Sequence, residues 1–315
     1  MVIGIDLGGM SAKAAVLMDG ELKGKLKVET SAEDAPEVTA QKLATLAQQV
    51  AEEAGVPFAE ISAIGIGSPG VIDSHVGVVV SWTNFHWTNV ALAQLVSKYV
   101  NKPVFVLNDA NAAALGEAKF GAGKNYRDSI LITLGTGVGG GIMIDGKLFE
   151  GNKSAGAEVG HTVIRQNGEL CSCGRRGCFE RYASAKALAK ITRRVMEENK
   201  ESAMWRLAPT LDQVGGRTAF LARAQGDEAA CKVVEEYIAA LGDGLVNLIN
   251  ILRPQAVLIG GGVSNEGENL LAPLREYMRP LIYANDYAPV DVVRATLGND
   301  AGLYGAAVFA QEKLQ

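Results

Sequence analysis

One stretch of sequence occurs twice. Ile3-Gly-Ile-Asp-Leu-Gly-Gly9 followed by Ala14-Ala-Val-Leu-Met-Asp-Gly20 is matched by Ile130-Leu-Ile-Thr-Leu-Gly135 followed by Gly141-Ile-Met-Ile-Asp-Gly146. In each copy ten positions separate a glycine (Gly9, Gly135) from the aspartate of an Asp-Gly pair (Asp19, Asp145). An apolar run that ends in Asp-Gly is the signature of a strand entering a tight hairpin. A chain that begins the same hairpin twice is read as a duplicated fold.

Periodicity fills in the rest. Strands are expected at Val2 to Asp6 and Ala14 to Met18, then a polar turn and a helix over about Ala35 to Ala54. Short β-rich runs at Ile61 to Ile66 and Val104 to Leu107 alternate with helical spacing at Val90 to Tyr99 and Ala110 to Phe120, which gives an α/β class. The second half passes through a loop-rich stretch, 150 to 182, to a buried strand at Ala256 to Gly260 and a closing helix at Ala301 to Lys313. No Pro- or Ser-rich linker separates the halves, so two packed lobes with a cleft are expected.

Glycine is in excess: 37 in 315 residues, about 12% against a usual ~7%. The glycines cluster at Gly65 to Gly70, Gly135 to Gly141 and Gly260 to Gly262. Two of these clusters match G-x-G-x-x-G, but the last glycine must open a helix for dinucleotide binding. Here the sequels, Val71-Ile-Asp73 and Ile142-Met-Ile144, look like strand or turn. No Gly-Lys-Ser or Gly-Lys-Thr of a P-loop occurs. What remains is phosphate held by backbone N–H groups of hairpin turns, with Asp6 placed for Mg²⁺, an ion that uses few protein carboxylates and keeps phosphate and water ligands.

The formal charge of -5 comes with no basic run, which argues against nucleic acid. No positively charged leader segment opens the sequence, and the longest uncharged stretch, 74 to 97, carries five His, Asn or Gln residues; neither an export signal nor a membrane span is expected, and the cytoplasm is the default. Cys171, Cys173 and Cys178, with His161 ten residues upstream, supply a Cys₃His set suited to structural zinc. Cys231 falls in a helical pattern and reads as core.

The motifs Asp6-Leu-Gly-Gly9, Gly67-Ser-Pro-Gly70, Asn108-Asp-Ala-Asn-Ala112, Leu134-Gly-Thr-Gly-Val-Gly-Gly-Gly141, Glu158-Val-Gly-His161, Cys171-Ser-Cys-Gly-Arg-Arg-Gly-Cys178 and Ile259-Gly-Gly-Gly262 resemble, in order and spacing, the ROK family of sugar kinases, in particular its bacterial glucokinases. The resemblance implies an actin-like ATPase fold (duplicated ribonuclease H-like lobes) with a central cleft. The N-terminal lobe is expected over 1–117 with the C-terminal helix 301–315, and the second lobe with the zinc loop over 118–300.

It also implies ATP-dependent phosphorylation of a hexose at the 6-hydroxyl, foremost glucose to glucose 6-phosphate. The alternatives are a kinase for fructose, allose, mannose, N-acetylglucosamine or N-acetylmannosamine, or a non-catalytic sugar sensor; the family's repressors carry an N-terminal helix-turn-helix, whereas a strand is expected from Val2. Asp109 is the candidate base, although a helix N-cap is the other reading of an aspartate there. Asn84, Asn108, Asp109, Glu158, His161 and Glu180 would hold the sugar, His161 sharing its ring between zinc and substrate. Asp6 is assigned to Mg²⁺, Gly8 and Gly9 to phosphate, Thr136 and Gly137 to the β and γ phosphates, and Gly261 and Gly262 to the adenosine side. Lys13 either contacts phosphate or projects from its strand. Met10 stands where the family usually has threonine, and a thioether donates no hydrogen bond. Trp82, Phe85 and Trp87 are read as core ahead of sugar platforms. A homodimer is the family's common state.

Overall fold

A computed structural model describes all residues, 1–315. Thirteen strands and ten helices form, in addition to short 3₁₀ turns. The strands are β1 (Val2–Leu7), β2 (Ser11–Met18), β3 (Glu21–Glu29), β4 (Ala63–Ser68), β5 (Val71–Asp73), β6 (Val78–Trp82), β7 (Trp87–Val90), β8 (Val104–Asn108), β9 (Ser129–Leu134), β10 (Val138–Ile144), β11 (Lys147–Phe149), β12 (Ala256–Gly260) and β13 (Asp291–Arg294). The helices are α1 (Pro36–Glu53), α2 (Leu92–Val100), α3 (Asp109–Phe120), α4 (Glu180–Ala183), α5 (Ala185–Glu198), α6 (Met204–Leu207), α7 (Thr218–Arg223), α8 (Glu228–Leu252), α9 (Glu268–Met278) and α10 (Ala301–Lys313).

Two sheets share one topology. The first has order β3-β2-β1-β4-β8 and the second β11-β10-β9-β12-β13, so each is a three-stranded meander extended by two later strands. The hairpin aspartates Asp19 and Asp145 have φ of 53° and 54°, and Gly20 and Gly146 follow at 82° and 72°. This left-handed pair suits a two-residue hairpin. The duplication read from the sequence is therefore present strand for strand.

By its internal contacts the chain forms two units: 1–131, 141–157 and 296–315, and 132–140 with 158–295. The first unit thus takes in 118–131 and 141–157 as well as 1–117 and the C-terminal helix. Its core is the apolar face of α1 (Leu43, Leu46, Ala47, Val50) against Ile3, Ile5, Ile64, Ile66 and Val106 of the sheet. Trp82, Phe85 and Trp87 close this core, with Trp82 and Phe85 stacked at 3.8 Å and Trp87 edge-on to both. They are core, as expected.

The other face of that sheet carries α10. Its backbone comes so close that a Cβ on Gly4 would stand 2.0 Å from the Leu303 carbonyl oxygen, and one on Gly65 1.8 Å from that of Ala306. Helix α3 crosses α10 in the same way, Gly305 against Ala112 and Gly116 against Ala301. Gly65 and Gly67 were expected in a phosphate loop; they lie instead inside buried β4, where missing side chains admit helices. A third strand, β3, replaces the polar turn expected after β2. Its side chains alternate between exposed and half-buried because it is an edge strand covered on one face only.

In the second unit, α5, α7, α8 and α9 are amphipathic helices. Tyr237 of α8 is fully buried, with its hydroxyl donating to the Ala183 carbonyl at 2.7 Å. Cys231 lies half-buried on α8, away from the other cysteines. No helix is long and apolar enough to cross a membrane.

Candidate functional site

In the first unit the carboxyl ends of β1, β4 and β8 lie side by side, with Asp6 in register with Gly67 and Ser68 with Asn108. The ends of parallel strands are where α/β sheets place ligands. Asn108 ends β8, and its side-chain oxygen accepts from the N–H groups of Ala110 (2.9 Å) and Asn111 (3.2 Å), which makes it the N-cap of α3. Its amide nitrogen donates to the Gly70 carbonyl at 3.2 Å, leaving one amide hydrogen for a ligand. With Asn108 as the N-cap, Asp109 becomes the first helical residue and shares the Ala110 N–H with it. Its carboxylate accepts from the N–H of Ala110 at 2.9 Å.

Burial raises the Asp109 carboxyl above the usual carboxylate range, against the opposing pull of that N–H. Asp6 is raised as well, first by burial and then by the charge of Asp109, while Lys13 lowers it. Lys13 is the cross-strand register partner of Asp6. Two carboxylates that feel one another, with one lysine between strands, form a centre that favours a divalent cation.

The turn that follows β1 is tight. Gly8 donates its N–H to the Ser11 carbonyl at 2.9 Å, and the Thr30 hydroxyl donates to the Gly8 carbonyl at 3.0 Å. The Gly8 N–H is thus occupied, and Gly9 and Met10 stand exposed at the tip, Met10 by 85%. Any phosphate held by this turn meets the Gly9 and Met10 N–H groups first, and replacing threonine by methionine leaves that backbone donor intact. Asn84 sits exposed in the 3₁₀ turn Thr83–Phe85.

In the second unit the turn Gly135-Thr136-Gly137 joins β9 to β10, with Thr136 exposed. Two glycines press on its flanks, and one of its own faces Glu180. A Cβ on Gly160 would stand 2.1 Å from the Val138 carbonyl, one on Gly261 2.5 Å from the Leu134 N–H, and one on Gly137 2.6 Å from Glu180 Oε2. Gly262 has open space around it. The Gly160 requirement explains the spacing Glu158-Val-Gly-His161: the 3₁₀ turn Val159–His161 must lie flat on β10. Glu158 is exposed at its start, and the His161 N–H donates to the Glu158 carbonyl at 3.1 Å.

Glu180 opens α4, with Phe179 before it buried against Gly244. Its Oε1 lies 3.1 Å from Cys171 Sγ and 3.9 Å from His161 Nδ1. Cys171, Cys173 and Cys178 are brought around by Gly174 and Gly177, both at positive φ, and a Cβ on Gly177 would stand 1.7 Å from the Arg165 carbonyl.

Tetrahedral zinc with bonds of about 2.3 Å to sulfur and about 2.05 Å to nitrogen sets ligand atoms about 3.8 Å (S···S) and about 3.5 Å (S···N) apart. Here Cys173 Sγ and Cys178 Sγ are 3.6 Å apart, Cys171 Sγ and His161 Nδ1 also 3.6 Å, and all four ligand atoms lie within 4.8 Å of one another. The donor set fits zinc, with Nδ1 of His161 toward the metal and Nε2 left over. Burial pushes the Cys171 thiol up and the Cys178 thiol up to about 12, with the crowded thiols adding to the latter.

Sequence reasoning missed Glu117. It is buried in α3, and its carboxylate accepts from the N–H groups of Ala122 (2.9 Å), Thr296 (3.1 Å) and Leu297 (2.7 Å), tying α3 to the turn that starts α10. A lone glutamate in the run Asn111-Ala-Ala-Ala-Leu-Gly-Glu-Ala118 was the available signal.

The sequence model of the ROK family matches residues 2–313, a span that holds the glycine turns, the Asn108-Asp109 pair and the Cys₃His set. The chain belongs to the ROK family. Its ROK relatives include the glucokinase of Thermotoga maritima, 37% identical over 99% of this chain and 98% of that protein, and the glucokinase of Streptomyces coelicolor, 38% identical over 99% and 98%. Among solved structures, the ROK family glucokinase from Streptomyces griseus in complex with glucose and AMPPNP is 37% identical and aligns with a TM-score of 0.83 over 99% of both chains. The fold is thus that of the ROK sugar kinases, the actin-like ATPase class.

Proposed function

We propose that the protein is an ATP-dependent hexokinase that converts glucose to glucose 6-phosphate. One observation carries the reading: Asn108 takes the N-cap of α3, so that Asp109, raised by burial and in no ion pair with a cationic side chain, stands at the end of β8 as the candidate base. A carboxylate whose pKa is raised accepts a proton more readily than an ordinary one. The full-length similarity to glucokinases, one of them bound to glucose and an ATP analogue, supports the substrate pair.

In this reading Asp109 accepts the proton of the sugar 6-hydroxyl as that oxygen forms its bond to the γ-phosphorus, and the bond from the γ-phosphorus to the β,γ-bridging oxygen breaks to release ADP. The N–H groups of Gly9 and Met10, with Lys13, Thr136 and Gly137, orient the phosphates, and Gly261 and Gly262 leave room for the adenosine. Mg²⁺, held by Asp6, supplies charge neutralisation to the phosphates. Glu158, His161 Nε2, Glu180, Asn84 and the spare amide hydrogen of Asn108 pair with sugar hydroxyls, which are costly to leave unpaired once buried. Zinc, held by His161, Cys171, Cys173 and Cys178, supplies rigidity to the loop that carries His161. The reading includes a homodimer and a cytoplasmic setting, where ATP is abundant and thiols stay reduced.

The test is a coupled ADP-release assay with Mg-ATP against a panel of hexoses and N-acetylhexosamines, with Asp109→Asn as control. Turnover highest with glucose and abolished in the control is expected. Turnover highest with another sugar replaces the substrate, and silence across the panel overturns the kinase.

A further inference from the structure

The segment from Glu150 to Ala157, which leads straight into Glu158, is strained and is held from outside. Three of its non-glycine residues, Lys153, Ser154 and Ala157, have φ of 50°, 58° and 62°. Such left-handed conformations are disfavoured for residues with a Cβ and persist only where the surroundings impose them. The segment closes on itself through the Gly156 N–H, which donates to the Glu150 carbonyl at 2.8 Å. That bond shapes the loop but does not fasten it to the fold.

The fastening is a pair of hydroxyls. Ser154 is buried, and its Oγ lies 2.7 Å from the Oγ of Ser74, also buried, at the residue after β5; the Ser74 N–H donates to the same Ser154 oxygen at 3.3 Å. The two serines are 80 positions apart in sequence. Removing the Ser154 hydroxyl takes a partner from both the Ser74 hydroxyl and the Ser74 N–H, whereas removing both hydroxyls takes one from that N–H alone. If Ser154 or Ala157 leaves the left-handed region, the chain changes direction just before Glu158.

We propose that Ser74 and Ser154 are positioning residues for sugar binding, fixing the strained segment so that Glu158 is presented to the hexose before it arrives. The inference rests on the assignment of Glu158 to the sugar. It makes the pair a determinant of sugar affinity and leaves the phosphoryl transfer step to others. A preset loop spares the substrate the work of ordering it.

The test uses the full chain with Ser74→Ala, Ser154→Ala and the double variant. The KM for the hexose should rise about tenfold in all three, with kcat and the KM for ATP within about twofold of wild type. Because the pair acts as a unit, the double variant should match the single ones in KM while melting at a higher temperature than Ser154→Ala alone. Hydrogen exchange without ligand should quicken at residues 155–161 and stay unchanged in α8. An unaltered hexose KM, a loss of kcat and both KM values that tracks melting temperature, or unaltered exchange at 155–161 overturns the proposal. A wild-type chain that phosphorylates no hexose removes the kinase reading, and the exchange result then decides the pair by itself.

Discussion

The two sheets have the same strand order, yet their first turns do different chemistry. Ile5-Asp-Leu-Gly8 ends β1 with a half-buried carboxylate, and Ile132-Thr-Leu-Gly135 ends β9 with a hydroxyl in its place. After its meander the first half goes to α1 and builds a core, whereas the second goes into the loop that carries Glu158, His161 and the cysteines. The two carboxylates raised by burial, Asp6 and Asp109, belong to the first half, and the Cys₃His set belongs to the second. Duplication supplied two equal frames, and substitution at one strand position with insertion after one strand set their roles apart.

The largest effect should come from the titrating side. Asp109→Asn keeps the shape and removes the base, so kcat should fall by about 10²–10⁴ with little change in sugar or ATP binding. In wild type, kcat should decline on the acid side along a limb lying above the ordinary aspartate value of about 3.9, and that limb should vanish in the variant. The stability sign is opposite to that of activity. The folded carboxyl is raised, so its contribution favours folding below the unfolded pKa and is lost as pH rises through the folded one. Asp109→Asn should therefore melt at or above the wild-type temperature at neutral pH. A lower melting point would mean the carboxylate stabilises its own half.

Zinc tests the other half. Protein purified without added metal should contain about one zinc per chain, and Cys178→Ser should lose it together with sugar binding while leaving α1 and its sheet protected from exchange. Since the Cys171 and Cys178 thiols are raised, mainly by burial, metal uptake must expel their protons and should tighten as pH rises. Full activity with no metal would erase the distinction drawn between the halves.

A Cβ on Gly305 would stand 1.6 Å from the Ala112 carbonyl. Gly305→Ala should destabilise the first unit by about 3 kcal/mol or more in denaturant unfolding, since backbone cannot step aside as a side chain can. The smallest effect is expected from Ala157→Gly, which should stabilise the protein by about 1 kcal/mol by relieving a φ of 62°. A loss there would show that the methyl group packs in a way that outweighs the backbone.

The first two strands of each sheet, β12, α10 and the cysteine set were legible because each rests on local chemistry, an apolar run ending in Asp-Gly or a ligand spacing, whereas β3, mostly polar as an edge strand, read as a turn. The glycines were read less well. Gly65 and Gly135 sit in identical-looking patterns, but one is flattened under a helix and the other lies in a turn, and only the distant chain that packs on them decides which. Asp109 could not be separated from a helix cap until the side chain of Asn108 was seen to fill that place. Ser74 and Ser154 gave no signal at all, since a serine in a loop is ordinary and a pairing across 80 positions leaves no trace in either neighbourhood.

Helix α10 is made long after β1, yet it lies on it. The faces of Gly4 and Gly65 that receive Leu303 and Ala306 stay bare throughout synthesis of the intervening chain. The amino-terminal half therefore cannot finish folding as it emerges, in contrast to the domain-by-domain order of many larger proteins. It must wait, with its sheet open on one side, for residues 301–313.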